Sequence, residues 1–151
     1  MTFSEFVVVQ WPLFLALAII SLMLLYSIFG EKMQGYKNVN PAEAIRLMND
    51  DVMLVDVRES HEVREGKIAE AINIPSGQIK DKMDRFGQDK DRAILFYCQS
   101  GARSGRACAT LKAEGYTNLF NLGGGIMAWK AANMPVNKKG DAKKKKGRKN
   151  G

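Results

Sequence analysis

Residues 93–105 read AILFYCQSGARSG, and this stretch decides the fold. It opens with an apolar run, 93–97, of the length and composition typical of a buried strand. A polar loop follows, beginning at Cys98. Residues 104–114 then carry a helical pattern that ends at Gly115, and Ser104 is the predicted N-cap. The chain therefore passes from a buried strand, through a cysteine-bearing loop, into a helix.

The flanking sequence repeats this alternation. Apolar runs typical of strands occupy residues 53–57, 71–74 and 119–121. Helical patterns occupy residues 40–50, 78–86 and 126–132, and the polar residues 60–65 predict a short helix or a turn. The first helix opens with Asn40 as N-cap, Pro41 at N1 and Glu43 at N3, which together predict a capping box. Strands alternating with helices predict an α/β fold with a central parallel sheet, in which sites form beyond the carboxyl ends of the strands.

An apolar segment precedes this region. No charged residue lies between Glu5 and Glu31, and residues 6–29 are almost wholly apolar, enough helix to cross a hydrocarbon core of roughly 30 Å. We predict a transmembrane anchor over residues 1–30, a linker over 31–39 and one α/β domain over 40–136. A cleaved signal peptide is the alternative, but the segment lacks a basic start and a small-residue cleavage site. Lys32 and Lys37 follow the span, so the positive-inside rule places residues 31–151 in the cytoplasm.

The basic charge of the chain belongs to its end. Residues 137–151 hold seven Lys, one Arg and one Asp, which accounts for the formal charge of +7, while residues 1–136 hold 15 basic and 15 acidic side chains. This polybasic tail is predicted to be disordered. Weak attraction to anionic lipid and no specific role are equally compatible with it, and contact with RNA is a further alternative.

The chain has two cysteines and one histidine, and these small numbers limit the disulfides and metal sites that it can form. Cys98 and Cys108 are too few for a disulfide scaffold, and no Cys-x-x-Cys accompanies the histidine, so we predict neither a metal site nor a cofactor. Cys108 falls inside the predicted helix, where a small buried thiol is ordinary. Cys98 is different because unpaired N–H groups at the start of a helix stabilise a thiolate. Arg103 and Arg106 are predicted to add positive charge.

The loop resembles that of the rhodanese family, Cys-x-x-Gly-x-Arg-Ser/Thr, matched here by Cys98, Gly101, Arg103 and Ser104. Three further segments resemble family motifs in the family's order: LVDVRE at 54–59, EGKIAEAINIP at 65–75 and LGGGIMAW at 122–129. Two positions depart from the pattern, Lys67 where the family usually has His and Glu70 where it usually has Gly. The matches span roughly residues 38–135, which is more specific than any single motif.

The resemblance, to the single-domain and membrane-anchored bacterial type, implies a sulfurtransferase. Cys98 would take sulfur from a donor, thiosulfate or a persulfide, and pass it to a thiol or other nucleophilic acceptor. The substrate-binding loop would comprise Gln99, Ser100, Gly101, Ala102, Arg103 and Ser104. The implied location is the bacterial inner membrane, with a single pass, a cytoplasmic C-terminal domain and a membrane protein as an expected class of partner.

Supporting roles are predicted for Asp56, Arg58 and Arg106. Asp56 and Arg58 flank the end of a core strand and are expected to order the neighbouring backbone through hydrogen bonds. The glycines at 123–125 are expected to let the backbone approach the loop closely, since no Lys-Ser/Thr follows them to complete a phosphate loop. Trp129 is expected to anchor the core.

Two other functions remain open. Phosphatases and arsenate reductases also place Cys and Arg around an anion-binding loop, but they space them by five residues, and four residues separate Cys98 from Arg103. Related dual-specificity phosphatases also have His before the cysteine, where this chain has Tyr97. The second alternative is a membrane-tethered binding or scaffold module that uses the fold without turnover.

Overall fold

The computed structural model describes residues 2–138 and divides into two units, Met1–Gln34 and Gly35–Gly151. The first unit is a single helix, α1, Phe3–Gln34. Its segment Phe3–Gly30 is long and apolar enough to cross a membrane, and its apolar side chains are exposed along its length. Length and composition alone also fit a signal sequence.

The second unit is built on a five-stranded sheet. The strands are β1 Lys37–Val39, β2 Met53–Asp56, β3 Ile72–Asn73, β4 Ile94–Tyr97 and β5 Leu119–Leu122. Their order is β1-β5-β4-β2-β3, and every neighbouring pair is parallel. The predicted central parallel sheet is therefore confirmed. All the strands end at one edge of the sheet, which is where Cys98 follows β4.

Four helices accompany these strands: α2 Pro41–Asn49, α3 Ser60–Arg64, α4 Ala102–Ala113 and α5 Gly125–Ala131. The predicted capping box of α2 is confirmed. The Glu43 backbone N–H donates to Asn40 Oδ1 at 2.9 Å, and the Asn40 N–H donates to Glu43 Oε2 at 2.9 Å. Gly115, at φ +91°, follows the C-terminal end of α4, as predicted for a glycine that stops a helix.

Hydrophobic core side chains cover both faces of the sheet. All four residues of the central strand β4 are buried, so its side chains pack on both faces. Ile94 and Phe96 point into a cluster that includes Leu111 of α4, whereas Leu95 and Tyr97 point into a cluster that includes Trp129 of α5. Alternation along the strand places Cys98 on the same face as Phe96, beneath α4. The pleat of β4 therefore aims the thiol at the start of the helix that follows.

Three features differ from the sequence-based expectations. The prediction of a helix over residues 78–86 is wrong. The segment instead contains two 3₁₀ turns, Ser76–Gln78 and Met83–Phe86. A helix in a protein is stabilised mainly by packing of its apolar face against the rest of the fold. In this segment, Ile79 and Phe86 are the buried side chains. The intervening residues are mainly charged and leave no continuous apolar face to support a regular helix.

The other two differences lie at the ends of the second unit. Residues 37–39, predicted as linker, form edge strand β1, because Val39 is buried and pairs with Leu122 of β5. Asn137, the first residue of the predicted tail, exchanges two backbone hydrogen bonds with Lys67, of 2.7 and 2.9 Å. Neither segment has a local hydrophobic period that could reveal these pairings. The remainder of the predicted tail, 139–151, lies outside the described residues.

Candidate active site

Cys98 is buried at the start of α4, with 1% of its surface exposed. Its Sγ accepts a hydrogen bond from the Gly101 N–H at 3.0 Å and lies 3.4 Å from the Ser104 hydroxyl. Gly101 caps the helix at φ +100°, a conformation that favours glycine. A Cβ there would also lie 3.3 Å from the Leu122 carbonyl oxygen. The turn that curls around the sulfur therefore depends on glycine at this position.

The surroundings of Cys98 favour its thiolate. Burial raises the pKa of the thiol, but hydrogen bonds from the Ser104 hydroxyl and from the N–H groups of Ser104, Gly101 and Ser100 outweigh burial. The net effect lowers the pKa of Cys98 below its ordinary value. The prediction that loop N–H groups stabilise the thiolate agrees with this direction.

Ser104 does not cap the helix, so that part of the prediction is wrong. It lies inside α4, fully buried, and its hydroxyl donates to Asn121 Oδ1 at 2.6 Å. Gly101 takes the N-cap position because its left-handed conformation lets the helix begin two residues earlier, at Ala102. Ser104 is thereby free to turn its side chain toward Cys98 and β5.

Asn121 is a site residue that the sequence-based reasoning missed. It lies in β5, 5% exposed, and its Nδ2 donates to Asn38 Oδ1 at 3.0 Å and to the Gly101 carbonyl at 3.2 Å. Because the Gly101 carbonyl can only accept, it orients the amide with Oδ1 toward Ser104. The one available signal was an asparagine in an otherwise apolar strand.

Helix α5 holds the loop from the other side. The Ile126 N–H donates to the Cys98 carbonyl at 2.9 Å, and the Met127 N–H donates to the Gln99 carbonyl at 3.2 Å. A Cβ on Gly125, at φ +58°, would lie 2.5 Å from both carbonyl oxygens. The prediction of close backbone approach to the loop is therefore confirmed for Gly125. Trp129 is 4% exposed and donates to the Pro135 carbonyl at 2.9 Å, which confirms it as a core anchor.

The charge of Arg103 is not available to Cys98 alone, because its guanidinium is paired with a carboxylate. Its Nη1 and Nη2 donate to the two carboxylate oxygens of Glu62, each at 2.8 Å, in a fork-to-fork ion pair. Glu62 was also missed, since it lies 41 positions before Arg103 in the chain. Arg106 is exposed one turn after the loop. Gln99, Ser100 and Ala102 are exposed as well and form the outer surface of the loop.

Asp56 and Arg58 form a buried ion pair that organises the backbone next to the site. Arg58 Nη2 lies 2.7 Å from Asp56 Oδ2, and the two residues are 3% and 0% exposed. The same Nη2 donates to the Gly66 carbonyl at 2.7 Å, and Nη1 donates to the Glu62 carbonyl at 3.4 Å. The predicted backbone-ordering role is confirmed. The pair holds the segment that carries Glu62.

Cys108 is fully buried in the core cluster on the α4 side, and burial raises the pKa of its thiol. It is a free thiol, as is Cys98. Its environment is the ordinary apolar one that the sequence predicts. Among residues 2–138, no group of three or more His, Cys, Asp or Glu side chains is arranged to hold a metal ion.

Comparison with known proteins agrees with this architecture. Residues 40–132 match the model of the rhodanese-like domain. A sulfurtransferase of Allochromatium vinosum is 41% identical over 87 residues, which cover 58% of this chain and 79% of that protein. A tRNA uridine(34) hydroxylase of Erwinia tasmaniensis is 32% identical over 108 residues, covering 66% of this chain and 31% of the hydroxylase. The crystal structure of a rhodanese-related protein from Thermoplasma volcanium superposes with a TM-score of 0.60 at 29% identity, covering 68% of this chain and 98% of that one.

Proposed function

The chain belongs to the rhodanese-like domain family, and from this premise we propose that it is a membrane-anchored sulfurtransferase with Cys98 as its nucleophile. One observation carries the proposal: Cys98 Sγ lies 3.0 Å from the Gly101 N–H and 3.4 Å from the Ser104 hydroxyl, at the start of α4. Donors so placed stabilise a negative charge on sulfur. That charge is present both on a cysteine thiolate and on the terminal sulfur of a persulfide.

The proposed reaction has two displacements at sulfur. The Cys98 thiolate attacks the sulfane sulfur of the donor, an S–S bond forms, and the donor's own S–S bond breaks. The departing group leaves with the bonding electron pair, as sulfite from thiosulfate or as a thiolate from a persulfide. An acceptor thiolate then attacks the outer sulfur of the Cys98 persulfide and regenerates the Cys98 thiolate. No net oxidation occurs.

The proposed scheme assigns no general base. The lowered pKa of Cys98 increases its thiolate fraction at a given pH, so the loop's own donors help to activate the nucleophile. In the proposed site, Cys98 reacts, and the loop from Gln99 to Ser104 binds the transferred sulfur. Asp56 and Arg58 support the loop's surroundings, and Arg106 contributes charge at its margin.

The same geometry argues against phosphate chemistry. In a phosphatase loop of this kind, the arginine would bind the substrate's oxygens. Here Nη1 and Nη2 of Arg103 each donate to a carboxylate oxygen of Glu62, so the charge of the arginine is already paired. The shorter loop and this ion pair together favour sulfur over phosphorus chemistry.

The anchor is the second part of the proposal. Helix α1 exposes apolar side chains along its length, including Trp11 and Tyr26 near the ends of the span, where such rings favour the membrane interface. We propose a retained single pass in the bacterial inner membrane, with the rhodanese-like domain in the cytoplasm. A donor, a thiol acceptor, a membrane-protein partner and weak contact of the basic tail with anionic lipid belong to the same proposal.

Persulfide formation tests the nucleophile directly. The full chain in detergent is incubated with thiosulfate or cysteine persulfide, and intact-mass and peptide mass spectrometry locate any added sulfur. We expect one sulfur on Cys98, none after Cys98→Ser, and unchanged loading after Cys108→Ser, the matched control. Loading that persists in Cys98→Ser would refute the assignment. A folded wild-type chain that accepts sulfur from neither donor would instead favour a binding module.

Reporter fusions test the topology. A reporter that is active only in the periplasm, fused after residue 151, is expected to be inactive. The same reporter fused at the N-terminus is expected to be active. The reverse pattern, or release of the domain by cleavage near residue 30, would refute the cytoplasmic anchor.

A further inference from the structure

The ion pair between Glu62 and Arg103 has a consequence for the choice of sulfur donor. Arg103 is the cation within the loop that surrounds Cys98, and both of its terminal nitrogens are bonded to Glu62 at 2.8 Å. The side chain of Glu62 is 23% exposed and that of Arg103 is 26% exposed, so the pair lies at the surface beside the loop. The arginine therefore reaches the site with its charge already balanced.

Glu62 is held firmly in this position. Its Oε2 also accepts the Glu59 N–H at 2.8 Å, in the capping box of α3, while the Arg58 side chain binds the Glu62 carbonyl at 3.4 Å. The hydrogen bond from Arg103 is the main reason that the pKa of Glu62 is lowered to about 2. The counter-charge is present throughout the physiological pH range.

Arg58 does not replace the cation that is lost. It lies beside Tyr97, with its guanidinium carbon 5.7 Å from the ring centroid, but it is buried and paired with Asp56. What the loop offers an anion is thus a set of dipoles: the N–H groups of Ser100, Gly101 and Ser104 and the Ser104 hydroxyl. Such a set suits one charge localised on a sulfur atom.

Sulfur donors differ in the charge they carry beyond that sulfur. Thiosulfate is a dianion, and Arg103, the cation within the loop that its sulfonate end would meet, is already paired with Glu62. A persulfide concentrates one negative charge on its terminal sulfur, which the dipoles can hold. Given the proposed sulfurtransferase function, on which this inference rests, we propose that Glu62 is a specificity-determining residue that selects singly charged persulfides over dianionic thiosulfate as sulfur donors.

The experiment compares the two donors on the first half-reaction. The full chain in detergent is mixed with thiosulfate or with cysteine persulfide, quenched with acid at timed intervals, and the rate of sulfur loading on Cys98 is read by mass. The measured quantity is the ratio of the thiosulfate rate constant to the persulfide rate constant. This ratio cancels changes in the reactivity of Cys98 that affect both donors equally.

Glu62→Gln frees Arg103 but keeps a side-chain oxygen that can accept the Glu59 N–H. The ratio is expected to rise about tenfold, the size of a charge interaction at a partly exposed site. Glu65→Gln is the matched control, because it removes an exposed carboxylate from the end of the same helix and leaves the ion pair intact. Its ratio is expected to match that of the wild type.

A double variant tests whether the gain comes from the freed arginine. In Glu62→Gln/Arg103→Gln, the ratio is expected to return to the wild-type value or fall below it. An unchanged ratio in Glu62→Gln, with circular dichroism showing a folded chain, would overturn the inference. So would an equal rise in Glu65→Gln. In either case, sulfur loading on wild-type Cys98 would leave the sulfurtransferase proposal standing, whereas absence of loading from both donors would refute that proposal first.

Discussion

Replacing Ser104 with Ala probes the electrostatic environment of Cys98. The side chain of Ser104 is fully buried, and its Oγ lies 3.4 Å from Cys98 Sγ and 2.6 Å from Asn121 Oδ1. The hydroxyl has one proton for these two acceptors. When Cys98 is ionised, its negative charge draws that proton, and the variant removes this stabilisation together with the hydrogen bond to Asn121 Oδ1. The backbone N–H groups that also face the sulfur remain.

The size of the effect follows from this sharing. A hydrogen bond to a charged group contributes about 1.5 to 3 kcal/mol. Because Asn121 competes at a shorter distance, the lower end, about 1.5 kcal/mol, is expected here. That energy corresponds to about a tenfold fall in the ratio of thiolate to thiol at a given pH. The pKa of Cys98 should therefore rise in the variant.

The assay is the pH dependence of alkylation by iodoacetamide, read at the peptide level so that Cys98 and Cys108 are distinguished. The midpoint of the rate profile is expected to move to higher pH, while the rate on the alkaline plateau does not fall, because a more basic thiolate is the stronger nucleophile. Thr110→Ala is the control, since that hydroxyl donates to the Arg106 carbonyl at 3.0 Å elsewhere on the same helix. A folded Ser104→Ala chain whose midpoint is unchanged or lower would refute the reasoning.

Three further outcomes are expected. Asp56→Asn leaves the buried guanidinium of Arg58 without its counter-charge. Urea unfolding should show a loss of unfolding free energy of about 3 kcal/mol, the lower end for a broken buried pair, because Asn keeps one acceptor. A loss below about 1 kcal/mol would contradict this. Gly125→Ala forces a Cβ against two loop carbonyls, so we expect a stability loss of about 2 to 4 kcal/mol and slower sulfur loading on Cys98, and wild-type values for both would be inconsistent with the close approach. Glu62 has a folded-state pKa of about 2, below its ordinary value of 4.5, so its contribution to stability is complete above about pH 5 and is lost as the pH falls toward 2. The difference in unfolding free energy between wild type and Glu62→Gln should shrink over that interval from about 1 kcal/mol, and a difference that grows on acidification would oppose the assignment.

Several features could be predicted from local sequence because local physics determines them. The capping box at Asn40 needs residues only three positions apart. Strand β4 is a continuous apolar run, and Cys98 follows it directly, so the sheet edge that holds the thiol could be named in advance. The length and apolarity of α1 are likewise properties of one segment. In each case, neighbours along the chain supply the evidence.

Helix boundaries and short edge strands were predicted less well. The predicted start of α4 at Ser104 was wrong because Gly101 adopts a left-handed conformation that no residue pattern announces. Strand β1 has three residues and one buried side chain, too few for a recognisable period. Its existence depends on pairing with β5, more than 80 residues further along the chain.

The sequence by itself determined the local arrangement of the proposed reaction centre: a cysteine at the end of a buried strand, followed by a glycine-bearing turn and a helix. Only the tertiary structure decided what surrounds that centre. It brings Asn121 to Ser104 across 17 residues and Glu62 to Arg103 across 41. The first contact governs where a proton lies, and the second balances the charge of the loop's arginine. Both join polar side chains that are distant in sequence, and chain folding alone brings such groups within hydrogen-bond distance.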